Sequence, residues 1–229
     1  MVLDKIDTFH ALEHYGIHVA RSEYVDSAEG AIAFASRRTA ADERMVPILL
    51  RVFEMPGQAE PRHAVGVPHP SDETIRQAYA VLTANLDPTQ TRALAQEAVE
   101  PGTDVALEGR VDQVQRRKIV TLRSTQLSAD GALPLDAAAA ESLVSSFRPL
   151  HHQPEKNRKM LEHLLLRAAE FFENDDVEQF KLDPLRIHQN TYTVLDASVT
   201  VRRPLHLKER LSHHAHDAKE YGFRPSGRQ

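Results

Sequence analysis

The stretch ALAQEAVEPGTDVALEGRVD, from Ala93 to Asp112, carries the strongest indication of the fold. It contains two apolar runs, Ala93–Val99 and Val105–Val111, whose length and composition are typical of β-strands. Pro101-Gly102 separates the runs and predicts a turn, because both residues interrupt regular structure. A third run of this kind, Lys118–Arg123, follows a polar segment. The three runs together predict an antiparallel meander.

On the N-terminal side of this meander, apolar spacing predicts alternating helices and strands. The predicted elements are a helix over Leu3–Tyr15 ending at Gly16, a short strand over Ile17–Ala20, a helix over Ala28–Arg37, a strand buried on both faces over Met45–Phe53, a short strand over Ala64–Val67 and a helix from Ser71 to Leu86. Asp87-Pro88 is the candidate boundary between two halves of the chain.

On the C-terminal side the pattern predicts two helices, a hairpin and a last helix. These are a helix from Asp136 to Ser145, a longer helix over Glu155–Glu173, strands over Val177–Ile187 and Thr191–Val201 around Gln189-Asn190, and a polar, His-rich helix over Leu205–Tyr221. Strands and helices in this mixed order predict an α+β fold.

Composition excludes several classes of protein. The 28 Lys and Arg residues are outnumbered by 33 Asp and Glu, a formal charge of -5, which argues against nucleic acid as a partner. The chain contains no Cys, so disulfides, thiolate metal sites and Cys nucleophiles are excluded. The longest apolar run, Val46–Leu50, is too short to cross a membrane, and the N-terminal residues lack the features of a secretory signal. We therefore expect a cytoplasmic protein without a membrane partner.

Several short strings, taken in order, resemble the ATP-grasp domain of the NDP-forming acyl-CoA synthetases, the nucleotide-binding beta subunits of acetyl-CoA and succinyl-CoA synthetases. The strings are LEHYGIHVA (12–20), SAEGAIAFA (27–35), MVPILLRV (45–52), HAVGV (63–67), the stretch over 93–112, LPLDAAAAESLVSSF (133–147) and FKLDPLRIHQNTYTVLDASVTV (180–201). The resemblance covers nearly the whole chain. It implies a two-lobed ATP-grasp fold with lobes over residues 1–88 and 89–203, followed by a polar, His-rich tail over 204–229.

The same resemblance implies where a nucleotide would bind. Arg51 stands at the end of the buried strand, where the family has a nucleotide-binding Lys. Gln96, Glu97 and Val99 belong to the strand whose backbone holds the adenine in ATP-grasp proteins, and Asp104 would lie near the ribose. The alternative for Gln96, Glu97 and Asp104 is that they are solvent-facing residues of the meander.

The closing hairpin implies the magnesium ligands. The family's Glu and Asn fall on Gln179 and Asp183, and its Asp-Ala pair falls on Asp196. The implied cofactors are therefore ATP and Mg²⁺, with Asp183 and Asp196 as the metal ligands. Magnesium prefers a few protein oxygens together with phosphate, which suits carboxylates at this place.

Three departures from the family pattern concern the phosphates. The glycine-rich loop after Arg123 is reduced to STQLSADGA, in which Gly131 is the one glycine, and Gly66 is the one member left of a glycine pair. Glu60 stands where acetate-type members have a phosphate-accepting His, with His63 three residues away. Arg51 replaces a compact ammonium group with a planar guanidinium.

Two functions therefore follow from the resemblance. In the first, the chain is an enzyme subunit that converts acid, CoA and ATP to acyl-CoA, ADP and phosphate, acting with a CoA-binding synthetase subunit or as a homo-oligomer. In the second, it is a degenerate, non-catalytic ATP-grasp module kept for assembly or regulation.

Other patterns have simpler explanations. His10, Glu13 and His14 match H-x-x-E-H, which could hold zinc on a helix, but they lie on the plain first helix of the resemblance. The tail histidines His213, His214 and His216 are typical of a solvated helix, and Asp175-Asp176 of a charged turn. No G-x-S-x-G string is present to indicate a nucleophilic serine.

Overall fold

The structure is a computed structural model that describes residues 1–42, 45–54, 63–84, 86–87 and 91–202. The helices are α1 (Lys5–His14), α2 (Ala28–Asp42), α3 (Asp72–Thr83), α4 (Ala137–Ser146) and α5 (Glu155–Glu173). The strands are β1 (Ser22–Val25), β2 (Ile48–Glu54), β3 (His63–Val67), β4 (Thr91–Glu97), β5 (Thr103–Asp112), β6 (Arg117–Arg123), β7 (Ser128–Ala132), β8 (Val177–His188), β9 (Thr191–Val194) and β10 (Ala197–Val201). The predicted terminal helix over Leu205–Tyr221, the tail over 204–229 and Glu60 lie outside the described residues.

A four-stranded antiparallel sheet, in the order β1-β4-β2-β3, forms the first layer of the molecule. In its inner strand β2, successive side chains point to opposite faces of the sheet, as in any β-strand. Ile48, Leu50 and Val52 belong to the core that α2 and α3 complete. Arg51 and Phe53 are also buried, but they lie on the opposite face of the strand. The predicted buried strand over 45–53 is thereby confirmed as a strand, although it begins at Ile48 and Met45 is exposed.

A second antiparallel sheet has the order β10-β8-β5-β6-β7, and β9 pairs with the far half of the long strand β8. Helices α1, α4 and α5 bury their apolar faces in its core, which includes Phe171, Phe172 and Phe180. The predicted closing hairpin is confirmed around Gln189 and Asn190, which both have positive φ, but its second strand is divided into β9 and β10. Within the described part of the chain, no helix is long and apolar enough to cross a membrane.

The N-terminal segment joins the second sheet before the chain enters the first one. Leu3, Phe9 and Leu12 belong to the core of the six-stranded sheet, and the Leu3 amide donates to the Val199 carbonyl at 2.9 Å. The helix ends at His14, and Gly16, two residues further on, has a φ of 67°, which favours glycine. The expected strand over 17–20 is wrong, because Val19 makes only an isolated bridge, to Val194, before β1 begins.

The expected meander of three strands is also wrong in its first member. β4 pairs with β1 and β2 in the first sheet, whereas β5 pairs with β6 and β8 in the second. The Pro101-Gly102 segment therefore carries the chain from one sheet to the other. Apolar runs identify strands, but they do not identify pairing partners that are distant in sequence. The candidate boundary at Asp87-Pro88 falls before β4, so residues on both sides of it form the first sheet.

β7 was not predicted from the sequence. Its residues, SADGA, show no clear alternation of apolar and polar side chains. Gly131 was expected in a loop that approaches phosphate, but it pairs with Val120 of β6 inside the sheet. A Cβ added at Gly131 would lie 3.1 Å from Leu135 and 3.3 Å from Leu143, so this glycine allows α4 to pack closely on β7.

Candidate functional site

A cleft of about 360 Å³ lies between the four-stranded sheet and the segment that joins β9 to β10. One wall is formed by β2, β3 and β4, and the other includes Pro184, Arg186 and Leu195. Five of the residues named from the sequence lie together around this cleft: Arg51, Gln96, Glu97, Val99 and Asp196. Asp104 and Asp183 do not line it. A volume of this size is within the range of small-molecule sites.

The corner between β9 and β10 brings Asp196 to the cleft. The predicted single strand over 191–201 is interrupted at Leu195, whose amide donates to the Pro184 carbonyl at 2.9 Å. The Asp183 amide donates to the Asp196 carbonyl, also at 2.9 Å. The Leu195 carbonyl in turn accepts a hydrogen bond of 2.9 Å from Nε2 of Gln96 on β4. This corner therefore contacts the first sheet directly.

Arg51 is the cation of β2 at the cleft, and it is only 6% exposed. Its Nη2 donates to Oδ2 of Asp196 in a close ion pair. Its Nη1 lies 3.4 Å from both Oε1 of Gln96 and the Leu195 carbonyl, which are weak contacts. The guanidinium also stacks over the ring of Phe53, at 5.1 Å from its centroid. The guanidinium that was expected to bind phosphate is thus paired with a carboxylate of the protein.

Lys5 is a second cation on the same carboxylate, and it was not predicted from the sequence. Its Nζ donates to Oδ1 of Asp196 and, at 2.7 Å, to the Ala197 carbonyl. Burial is the largest influence on the Lys5 ammonium and lowers its pKa, against the opposing attraction of Asp196. The buried positions Lys5, Thr8, Phe9 and Leu12 follow helical spacing, so Lys5 lies on the buried face of α1.

The remaining carboxylates named for nucleotide binding have internal partners as well. Glu97 accepts from Nε of Arg38 at 3.1 Å. Asp104 accepts from Nε and Nη2 of Arg186 at 2.7 and 2.8 Å, and this paired arrangement raises the pKa of Arg186. Nη1 of Arg186 also donates to the Val99 carbonyl at 3.3 Å. Gln96 is 2% exposed, so it is not a solvent-facing residue.

The two proposed magnesium ligands are each paired with cationic side chains of the protein. Asp183 is paired with Lys181 at 3.0 Å and lies 3.6 Å from Arg123, while Asp196 is paired with Lys5 and Arg51. Over the described ranges, no three His, Asp or Glu side chains are grouped as a metal site, and this includes the H-x-x-E-H residues of α1. In this arrangement the carboxylates face cationic side chains, so they do not fit a magnesium ion.

The arrangement of two antiparallel sheets with flanking helices and a cleft between them is the two-lobed, ATP-grasp-like type of α+β fold. No protein-family model matches the chain, and no curated protein matches it.

Among solved structures, ACD1 of Ca. Korarchaeum cryptofilum in complex with coenzyme A is similar with a TM-score of 0.74 and 19% identity, covering 88% of this chain and 93% of that one. Acetyl-coenzyme A synthetase 1 of the same organism, in complex with coenzyme A and Mg-AMPPCP, is similar with a TM-score of 0.66 and 19% identity over the same shares. PH1788 from Pyrococcus horikoshii has a TM-score of 0.72 and 11% identity, covering 88% of this chain and 92% of that one. At these identities the likeness concerns the fold, and function depends on the site.

Proposed function

We propose that this chain is the nucleotide-binding ATP-grasp subunit of an assembly of the NDP-forming acyl-CoA synthetase type, and that it does not transfer phosphate alone. The observation that carries the proposal is the position of Arg51, which lines the cleft but pairs with Asp196. The convergence of Gln96, Glu97 and Val99 on the same cleft supports nucleotide binding there. The structural neighbours that were solved in complex with coenzyme A and with Mg-AMPPCP support the reaction class.

Phosphoryl transfer depends mainly on positioning and on charges that stabilise the transferring group. In this chain, Arg51 is paired with Asp196, and the segment where the family's glycine-rich loop is expected forms β7. Removing one preorganised donor of this kind costs about 10²- to 10³-fold in rate. Two such losses would reduce the rate of the isolated chain to a trace.

A partner that binds CoA is the second part of the proposal. The sequence contains no G-x-G-x-x-G string, which is the fingerprint of a dinucleotide-type phosphate turn, so the CoA site is assigned to another subunit. A homo-oligomer is the alternative assembly. The cytoplasm is the compartment in which we place this activity.

We expect the isolated chain to release only traces of ADP from ATP in the presence of magnesium, CoA and acetate or succinate. A coupled ADP-release assay measures this, first with the chain alone and then with any protein that copurifies with it. Turnover that is seen only when the partner is present supports the proposed role as an enzyme subunit. Robust turnover by the chain alone contradicts the proposal.

The degenerate, non-catalytic module is the second candidate, and the pairing of each named carboxylate with an internal cation favours it. In the assay above, a complex that forms with the partner and shows no turnover supports this second candidate. Its role would then be assembly or regulation.

Nucleotide binding itself is expected to raise the melting temperature. A ligand present at 100 times its Kd stabilises the folded state by about 2.7 kcal/mol, which is roughly 5–10 °C for a chain of this size. We expect Arg51→Ala to lose most of the shift produced by ATP. Arg37→Ala is the matched control. Arg37 is an exposed arginine of α2 that pairs with Glu23 of β1, and its replacement should leave the shift unchanged. Equal shifts in both variants would remove Arg51 from any phosphate role.

A further inference from the structure

The two oxygens of Asp196 are held by different parts of the molecule. Oδ1 accepts from Nζ of Lys5 and, at 2.8 Å, from the backbone amide of Ala197. Oδ2 accepts from Nη2 of Arg51. The carboxylate would therefore keep two donors, one of them charged, if Arg51 moved away. Arg51 has no comparable second hydrogen-bonding anchor among the described residues, because its other two hydrogen-bonding contacts are both 3.4 Å long.

The two cations also differ in their access to a ligand. Arg51 and Asp196 line the cleft, whereas Lys5 is not among its lining residues and is 6% exposed. Lys5 lies on α1, bound to Asp196 and to the Ala197 carbonyl of β10. A ligand in the cleft can therefore contact the guanidinium of Arg51, while Lys5 remains behind the carboxylate.

Asp196 is shared by two cations, one of which, Lys5, is also attracted by Asp4. Lys5 and Arg51 bring two positive charges to one carboxylate, and each is close to the ring of Phe53. Removing the partner of a buried charge is costly when nothing replaces it. If Arg51 leaves, however, Lys5 and Asp196 remain as a neutral pair. The guanidinium that is released matches the geometry of phosphate oxygens, which it can bind through two parallel hydrogen bonds.

We propose that Lys5 is the counter-ion that allows Arg51 to exchange Asp196 for the phosphate of a ligand. This inference rests on the proposed function, and it assigns Lys5 a positioning role without contact to the nucleotide. Without Lys5, Asp196 would have Arg51 as its one charged partner among the described residues and would compete with phosphate for it. The site would then bind the nucleoside part of a ligand normally and the phosphate part poorly.

The test compares ADP with adenosine by isothermal titration calorimetry, with EDTA present so that only protein cations meet the phosphates. Lys5→Met keeps an unbranched apolar side chain and removes the charge. We expect this variant to raise the Kd of ADP at least tenfold and to leave the Kd of adenosine within twofold of the wild type. Equal Kd values for ADP in the wild type and Lys5→Met would overturn the proposal.

A double variant separates this role from a purely structural one. In Lys5→Met with Asp196→Asn, no carboxylate competes for Arg51, so the affinity for ADP should return to the wild-type value or exceed it. A double variant that binds ADP as weakly as Lys5→Met would overturn the proposal. Asp196→Asn alone keeps an oxygen that accepts a hydrogen bond from Lys5, and it should strengthen ADP binding. This variant provides the test if Lys5→Met does not fold. Lys159→Met, on the surface of α5, controls for loss of a positive charge elsewhere.

Pyrophosphate distinguishes failure of this inference from failure of the proposed function. If the wild type binds neither adenosine nor ADP but binds pyrophosphate in a Lys5-dependent way, the nucleotide function fails and the exchange at Arg51 stands. If adenosine binds and the variants do not change ADP binding, the nucleotide cleft stands and the exchange fails. Absence of binding by all three probes contradicts both.

Discussion

Replacing Asp196 with alanine is expected to lower the free energy of unfolding by about 3–5 kcal/mol, because it leaves the buried cations of Lys5 and Arg51 without their common carboxylate. The substitution also removes the acceptor for the Ala197 amide. For a chain of this size such a loss corresponds to a fall in melting temperature of roughly 6–20 °C. Urea unfolding followed by circular dichroism measures the change.

Asp183→Ala is the matched control for this prediction. Asp183 is hydrogen-bonded through its backbone to the same corner and is also ion-paired, but its side chain is 34% exposed, against 13% for Asp196. Pairs that remain in contact with water contribute about 0–1 kcal/mol. We therefore expect Asp183→Ala to change the free energy of unfolding by no more than about 1 kcal/mol. Similar losses in both variants would mean that the Asp196 cluster is not a buried, charge-compensated group.

Phe180→Ala is expected to cost about 3–5 kcal/mol of stability, as is usual for deleting a buried phenylalanine. The ring is completely buried and meets Phe171 and Phe172 edge to face, with centroids 5.9 and 5.4 Å away. It also covers Gly109, its partner on β5, so its loss would open a cavity directly against the sheet. Val114→Ala, at a position 92% exposed, should change stability by less than about 0.5 kcal/mol.

Gly109 allows a sharper form of this measurement. A Cβ at this position would lie 2.1 Å from Cε1 of Phe180, so Gly109→Ala alone should destabilise by about 1–3 kcal/mol through overpacking. In a Phe180→Ala background the same methyl group would enter the cavity and most of its cost should disappear, leaving only the close approach to Cδ1 of Phe172 at 2.9 Å. The double-mutant cycle should therefore be strongly non-additive. Additive effects of the two substitutions would contradict this packing.

Local sequence pattern predicted the elements of this fold well where the apolar signal was strong. The strand through Leu50 and the helix from Glu155 to Glu173 were predicted closely, because an apolar run rich in Val, Ile and Leu and a long helical period are each distinctive. β4 was found as a strand but assigned to the wrong sheet, since its partners lie far away in sequence. β7 was missed, because its few small residues resemble a loop.

The sequence could predict which residues lie at the candidate site, but not which of their side chains bind each other. A resemblance can assign Arg51 and Asp196 to one site, and the structure places both at one cleft. It cannot show that the two side chains bind each other, because that depends on the corner between β9 and β10 and on the distance between sheets. Lys5 was missed because an isolated lysine in a first helical turn usually reaches solvent.

The path of the chain between the two sheets determines which parts of it can be separated. A fragment ending at residue 88 would contain β1 and β2 but lack β4, the strand that lies between them. Both strands would then expose backbone hydrogen-bonding groups along an open edge, which favours aggregation. The same fragment would carry α1 away from its place in the core of the six-stranded sheet. A gene fusion or domain rearrangement that keeps this fold is therefore expected to contain both sheets.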